Sequence, residues 1–175
     1  MSDSRLQRVP DDASTVLVRS PSIEGVTSAC TGLSGRSERV LLVGYAGSNV
    51  EGLRTRLAER DADPPPVREL DVGTDVEPGD LTGLGIAIAE SLGPDTAVCF
   101  DSLTAMLQYA DRERSFQFLH ALGERCASAG ATAHYHLDPE ATDETTVAAL
   151  STLVDAVVDT GAGTVSVRPE LTEKD

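Results

Sequence analysis

The chain has 175 residues, room for one domain of ordinary size. Apolar residues make up 40%, aromatic residues only 3%, and there is no tryptophan, so a core must be built from Val, Leu, Ala and Ile, as suits a parallel sheet covered by helices. With 29 acidic against 14 basic side chains the formal net charge is −15, which argues against nucleic acid or an anionic membrane as partner, since both need clustered cations.

Residues 1–13 are polar, contain Pro10-Asp11-Asp12 and read as a disordered tail rather than a signal peptide. Thr15–Arg19 is the first expected strand, followed by a turn-rich loop over 20–25 and a short helix over 26–33. Arg39–Gly44 is the second strand. Asn49 is placed to cap a helix through Arg60, with Leu53 and Leu57 one turn apart. The prolines at 64–66 stop it. A short edge strand over 67–70 and an acidic loop over 71–79 follow.

Asp80 caps a helix to about Leu92, with Leu81, Leu84, Ile88 and Leu92 on one face. Thr96–Asp101 carries four consecutive apolar residues, Ala97 to Phe100, and reads as a buried strand. Asp111 starts the strongest helix, in which Phe116, Leu119, Leu122 and Cys126 recur at helical spacing before Gly130 closes it. A strand over 131–137, a helix over 142–153 and a terminal hairpin of 155–159 with 164–167 complete the order. Strands alternating with helices imply a parallel sheet with right-handed crossovers. The domain is expected over 14–168, with 169–175 as a second tail.

The apolar run 97–100 ends in Asp101-Ser102-Leu-Thr. An acid at the C-terminal mouth of a buried strand stands where open α/β sheets bind ligands, and in nucleotide hydrolases it holds Mg²⁺. The segment resembles the Walker B strand of the RecA superfamily, particularly its KaiC-like branch. That resemblance implies a three-layer RecA-like P-loop NTPase fold with a mostly parallel central sheet. The chain is also similar to a set of haloarchaeal proteins with this degenerate domain, through Asp80–Ile86, Phe100–Thr104 and His134-Tyr135-His136. The second similarity implies no particular activity.

The RecA resemblance calls for a phosphate loop after the first strand. Laid on G-x-x-x-x-G-K-[ST], Ser20–Thr27 keeps the second glycine as Gly25 and the Mg²⁺-binding hydroxyl as Thr27. The first glycine has become Ser20 and the lysine Val26, and Glu24 opposes an anion. Lys174 is the sole lysine in the chain, so none can substitute from within the fold. KaiC-like ATPases also carry two glutamates after the second strand, where this chain has Ala46 and Gly47, and Glu51 falls inside the next helix. Gly25, Thr27, Asp101 and Ser102 thus remain as a vestigial nucleotide and Mg²⁺ site. Without phosphate binding, such contacts make a weak Mg²⁺ site.

His134 and His136 share one face of their strand, by the period of two. The RecA resemblance puts that strand between the phosphate-loop strand and the Asp101 strand. With Asp101 the two histidines would form a metal site of transition-metal type. The preferred alternative has them hydrogen-bonded to Asp101, Ser102 or Asp138, because the sequence offers no evident fourth ligand. Cys30, Cys99 and Cys126 show no metal-type spacing and read as structural free thiols of a reducing cytoplasm. His120 reads as a surface residue, and Ser102, His134 and Asp101 lack the G-x-S-x-G context of a catalytic triad.

The acidic, nearly lysine-free composition resembles that of proteins of salt-loving archaea, where high salt screens self-repulsion. An acidic interaction module from an ordinary cytoplasm is the alternative. The expectation is therefore a catalytically inactive RecA-like domain, cytoplasmic, acting as a regulatory or interaction module with a protein partner or a second copy. No cofactor is expected. The alternatives are a nucleotide-binding protein using Mg-ATP, with weak or partner-dependent ATPase activity, and a metal-binding sensor at His134 and His136.

Overall fold

The computed structural model describes residues 4–21, 23–45 and 49–167, with 4–5 and 23–27 described in their backbone alone. Strands and helices alternate: β1 (Thr15–Arg19), α1 (Ile23–Ser34), β2 (Arg39–Tyr45), α2 (Val50–Arg60), β3 (Val67–Val72), α3 (Leu81–Ala89), β4 (Thr96–Asp101), α4 (Leu103–Met106), α5 (Arg112–Ala129), β5 (Thr132–Leu137), α6 (Glu144–Ser151), β6 (Ala156–Asp159) and β7 (Thr164–Val167). They build a seven-stranded sheet in the order β3-β2-β4-β5-β1-β6-β7. Every pairing is parallel except β6 with β7, the expected hairpin.

Local chemistry explains the helix boundaries. Asn49, Asp80 and Asp111 each accept a hydrogen bond from a backbone N–H three residues on, satisfying a donor that the helix start would leave orphaned. Asp143 does the same for α6, one position after the expected start. Gly130 ends α5 in the left-handed conformation, φ 74°.

Strand alternation divides the core into two layers. Leu17, Leu41, Val98, Phe100, Ala133 and Tyr135 point to one side, against α3, α4, α5 and α6. Phe100 and Tyr135 meet edge to face, ring centroids 5.9 Å apart. Val16, Val18, Val40, Leu42 and Cys99 point to the other side, against α1 and α2. The result is the expected three-layer α/β arrangement.

The N-terminus departs from the sequence reading. Residues 4–8 form a 3-10 turn, and Leu6, Val9 and Ala13 are buried with Val16, Val18 and Leu33. The expected tail over 1–13 is therefore part of the core from Leu6 onward. Three spaced apolar residues in a polar stretch carry no periodic signal, which is why the burial is not visible in the sequence. Positions 169–175 lie outside the described residues.

Candidate functional site

Asp101 ends β4 between β2 and β5, at the sheet's C-terminal edge. Burial pushes its carboxyl pKa up. Among the described residues, no side chain hydrogen-bonds to it. The Asp101–Ser102 peptide is cis. Ser102 caps α4, its Oγ accepting from the Ala105 N–H at 3.2 Å, and Thr104 Oγ1 accepts from the Asp138 N–H at 2.9 Å. The hydroxyls of this stretch thus shape the chain after β4 and tie it to the end of β5.

The rest of the vestigial site is on α1. β1 ends at Arg19 and α1 begins at Ile23, so residues 20–22 alone connect them. Gly25 and Thr27 fall in the first turns of α1, and the Thr27 side chain lies outside the described residues. The positions of Ala46 and Gly47 are likewise outside them. Glu51 is in the first turn of α2, exposed and paired with Arg54.

The strand order places β5 between β4 and β1, as the RecA resemblance implies. His134 is the register partner of Cys99 on β4 and of Val16 on β1, and His136 is that of Asp101 and Val18. Both histidines turn to the α1 side and are wholly buried. Their rings meet edge to face, centroids 5.3 Å apart. Desolvation holds the His136 pKa down at about 4. Desolvation, with repulsion from His136 and Arg36, puts that of His134 well below its ordinary value. Both rings are thus neutral at pH 7.

The partners of this pair differ from those expected. His136 Nε2 lies 3.4 Å from Cys99 Sγ, and His134 Nε2 lies 3.4 Å from Ser34 Oγ, itself 3.8 Å from Cys30 Sγ. The Nδ1 atoms of both histidines are buried with no hydrogen-bond partner among the described residues. Asp101, Ser102 and Asp138 are not among the hydrogen-bond partners found for the rings. Cys30 and Cys99 are joined as a disulfide, which corrects the expectation of three free thiols. Only Cys126 is free, buried, with desolvation pushing its thiol up to about 12. Cys30 and Cys99 are 69 positions apart, so no spacing rule could pair them.

Among the described residues, Cys30, Cys99, His134 and His136 form one buried cluster whose candidate ligand atoms all lie within 4.8 Å of one another. The expected trio of His134, His136 and Asp101 is replaced here by a quartet in which two cysteines stand where the acid was expected. Asp101 sits one step further along β4 than Cys99, toward the sheet edge.

Comparison with known proteins follows the fold. The flagellar accessory protein FlaH from Methanocaldococcus jannaschii superposes with a TM-score of 0.59 at 14% identity, over 83% of this chain and 70% of that one. At that identity the likeness concerns the fold, which is RecA-like. No curated protein matches the sequence. A family model covers residues 13–160, the whole sheet apart from its last strand, and the chain belongs to that family, DUF7504, a family of unknown function.

Proposed function

We propose that this chain is a RecA-like domain that does not hydrolyse nucleotide and serves as a regulatory or interaction module, with another protein or a second copy as its partner. The β1–α1 connection carries the reading. A phosphate loop spends about six residues wrapping backbone N–H groups around the phosphates before its lysine. Here only three residues separate Arg19, the end of β1, from Ile23, the start of α1, and Val26 stands in the lysine position. The sequence therefore lacks, at the start of α1, the charge that stabilises phosphoryl transfer. Glu51, the nearest candidate base, points to solvent in an ion pair with Arg54. The acidic, almost lysine-free composition supports a haloarchaeal cytoplasm as its setting.

Titration with Mg-ATP in molar KCl tests this. A ligand at a hundred times its Kd stabilises by about 2.7 kcal/mol, several degrees for a domain of this size. The expected result is no shift in melting temperature at millimolar Mg-ATP. A shift abolished by Asp101→Asn would overturn the reading. It would favour a nucleotide-binding protein whose missing cation comes from a neighbour, a reading that the place of Asp101 at the strand mouth supports.

A further inference from the structure

We propose that Cys30, Cys99, His134 and His136 form a closed, tetrahedral binding site for a divalent metal of the zinc type when the two cysteines are reduced. The site does not depend on the nucleotide reading, since none of its four residues belongs to the vestigial phosphate or Mg²⁺ contacts.

The donor set suits such a metal. Two sulfurs and two imidazoles within 4.8 Å of one another match the S₂N₂ sites that hold zinc. With metal–sulfur bonds of about 2.3 Å and metal–nitrogen bonds of about 2.0–2.1 Å, a tetrahedron has edges of roughly 3.3–3.8 Å. The Cys99 Sγ to His136 Nε2 separation, 3.4 Å, is already such an edge. On reduction the two sulfurs would move apart from their bonded distance, and the other ligand atoms, already within 4.8 Å of one another, would close to the same spacing.

Both imidazoles are buried with few partners. Each imidazole has one nitrogen against the cluster and an Nδ1 with no partner among the described residues. With the disulfide formed, His136 Nε2 has only a bonded sulfur, a weak acceptor, and His134 Nε2 only the Ser34 hydroxyl, each at 3.4 Å. Burying two imidazoles so poorly satisfied is costly, and leucine or valine would fill the same wall more cheaply. A metal turns the cluster-facing nitrogens into ligands and so gives each ring one strong partner, while the Nδ1 atoms stay as they are.

Charge balances as well. The four side chains are buried, and among the described residues neither Asp101 nor any other carboxylate belongs to the cluster. A divalent cation with two thiolates and two neutral imidazoles carries no net charge. It is therefore compatible with a low-dielectric interior in a way that a free cation or a lone thiolate is not. With all four positions taken by protein and no access from solvent, the metal would be structural, pinning α1 to the two central strands.

Disulfide and metal exclude one another. A dithiol reductant supplies two electrons and two protons, converts the Cys30–Cys99 bond to two thiols and is itself oxidised to a cyclic disulfide. The metal then displaces the two thiol protons to solvent as the two metal–sulfur bonds form.

The test uses the full chain, purified under reducing conditions in molar KCl, and titrated with Zn²⁺ and with Co²⁺. The expected result is one metal per chain by elemental analysis. Cobalt should give the intense visible bands of tetrahedral coordination and a near-ultraviolet thiolate-to-cobalt charge-transfer band, which surface carboxylates cannot produce. Oxidation to the disulfide should release the metal. Cys99→Ser and His136→Gln should each weaken Co²⁺ binding more than tenfold, while Cys126→Ser leaves it unchanged. If either ligand variant fails to fold, the wild-type cobalt spectrum and the release on oxidation still decide. The proposal is overturned if reduced wild type takes up no metal, if cobalt binds without a charge-transfer band, or if the protein emerges from reducing lysis with Cys30 and Cys99 still disulfide-bonded.

Discussion

Asp101 and His136 are register partners on adjacent parallel strands, yet they live in opposite environments. By strand alternation both belong to the α1 side of the sheet. His136 is wholly enclosed beneath α1, whereas Asp101 is the last residue of its strand and stays partly open at the sheet edge. The register step that separates Cys99 from Asp101 therefore separates a soft, buried S₂N₂ cluster from a hard oxygen donor at the partly open end of the strand.

Asp101 should weaken the fold at neutral pH. Its carboxyl gains no hydrogen bond among the described residues, and burial raises its pKa above the ordinary carboxylate value. Between the unfolded and the folded pKa the native state holds the extra proton. Its contribution is therefore fully present below the unfolded pKa and is lost as pH rises through the folded one. Asp101→Asn should raise the melting temperature at pH 7 by a few degrees, on the scale of about 2–4 °C per kcal/mol, and do little at pH 3. The exposed Asp63→Asn serves as the control for removing one negative charge. Thermal melts of both variants across pH check this, and a fall at pH 7 for Asp101→Asn would mean that the carboxylate is held by a cation.

Leu6→Ala measures whether the N-terminus belongs to the core. Leu6 packs with Val9, Val16, Val18 and Leu33, and its Cδ1 occupies the space beside Gly32 on α1. Truncating a buried leucine costs about 2–5 kcal/mol, and a site near a chain end that can partly collapse falls toward the lower figure, about 2 kcal/mol. Denaturant unfolding reads this directly. Unchanged stability would return residues 1–13 to the status of a tail.

Gly130→Ala should cost about 1 kcal/mol for a conformational reason. The residue sits at φ 74°, where a Cβ crowds its own backbone. The space itself is adequate, since an added Cβ would meet Pro94 Cα at an ordinary 3.6 Å. Chemical denaturation of the variant should show a lowered midpoint with an unchanged slope. A loss several times larger would point to a clash rather than backbone strain.

Stability should rise with salt. At a net charge of −15 the surface carboxylates repel one another, and the Debye length falls from about 10 Å at 0.1 M to about 3 Å at 1 M salt. Circular dichroism followed from multimolar KCl into dilute buffer should show loss of structure. A spectrum that does not change would count against a high-salt cytoplasm as the setting.

The sequence by itself determined what depends on neighbours a few residues apart. The caps at Asn49, Asp80 and Asp111, the stop at Gly130, and the helical stripe of Leu119, Leu122 and Cys126 all follow from the 3.6-residue period and from backbone donors that need acceptors. The buried strand ending in Asp101 follows from its unbroken apolar run, and the shared face of His134 and His136 from the period of two. Helix starts without a strong cap were less legible: α1 begins at Ile23, where the sequence pattern suggests a start at 26. What shares that histidine face follows from long-range packing. The sheet order brings β4 beside β5, and the connection from β1 to β2 lays α1 over both. Cys30, Cys99 and the histidines of β5 thereby meet in one pocket, although Cys30 and His134 are about a hundred residues apart. No local period encodes such a meeting, because it depends on which face of the sheet each connection crosses. The burial of Leu6 and Val9 likewise depends on a groove beside α1 and β1 that exists only once those elements have packed.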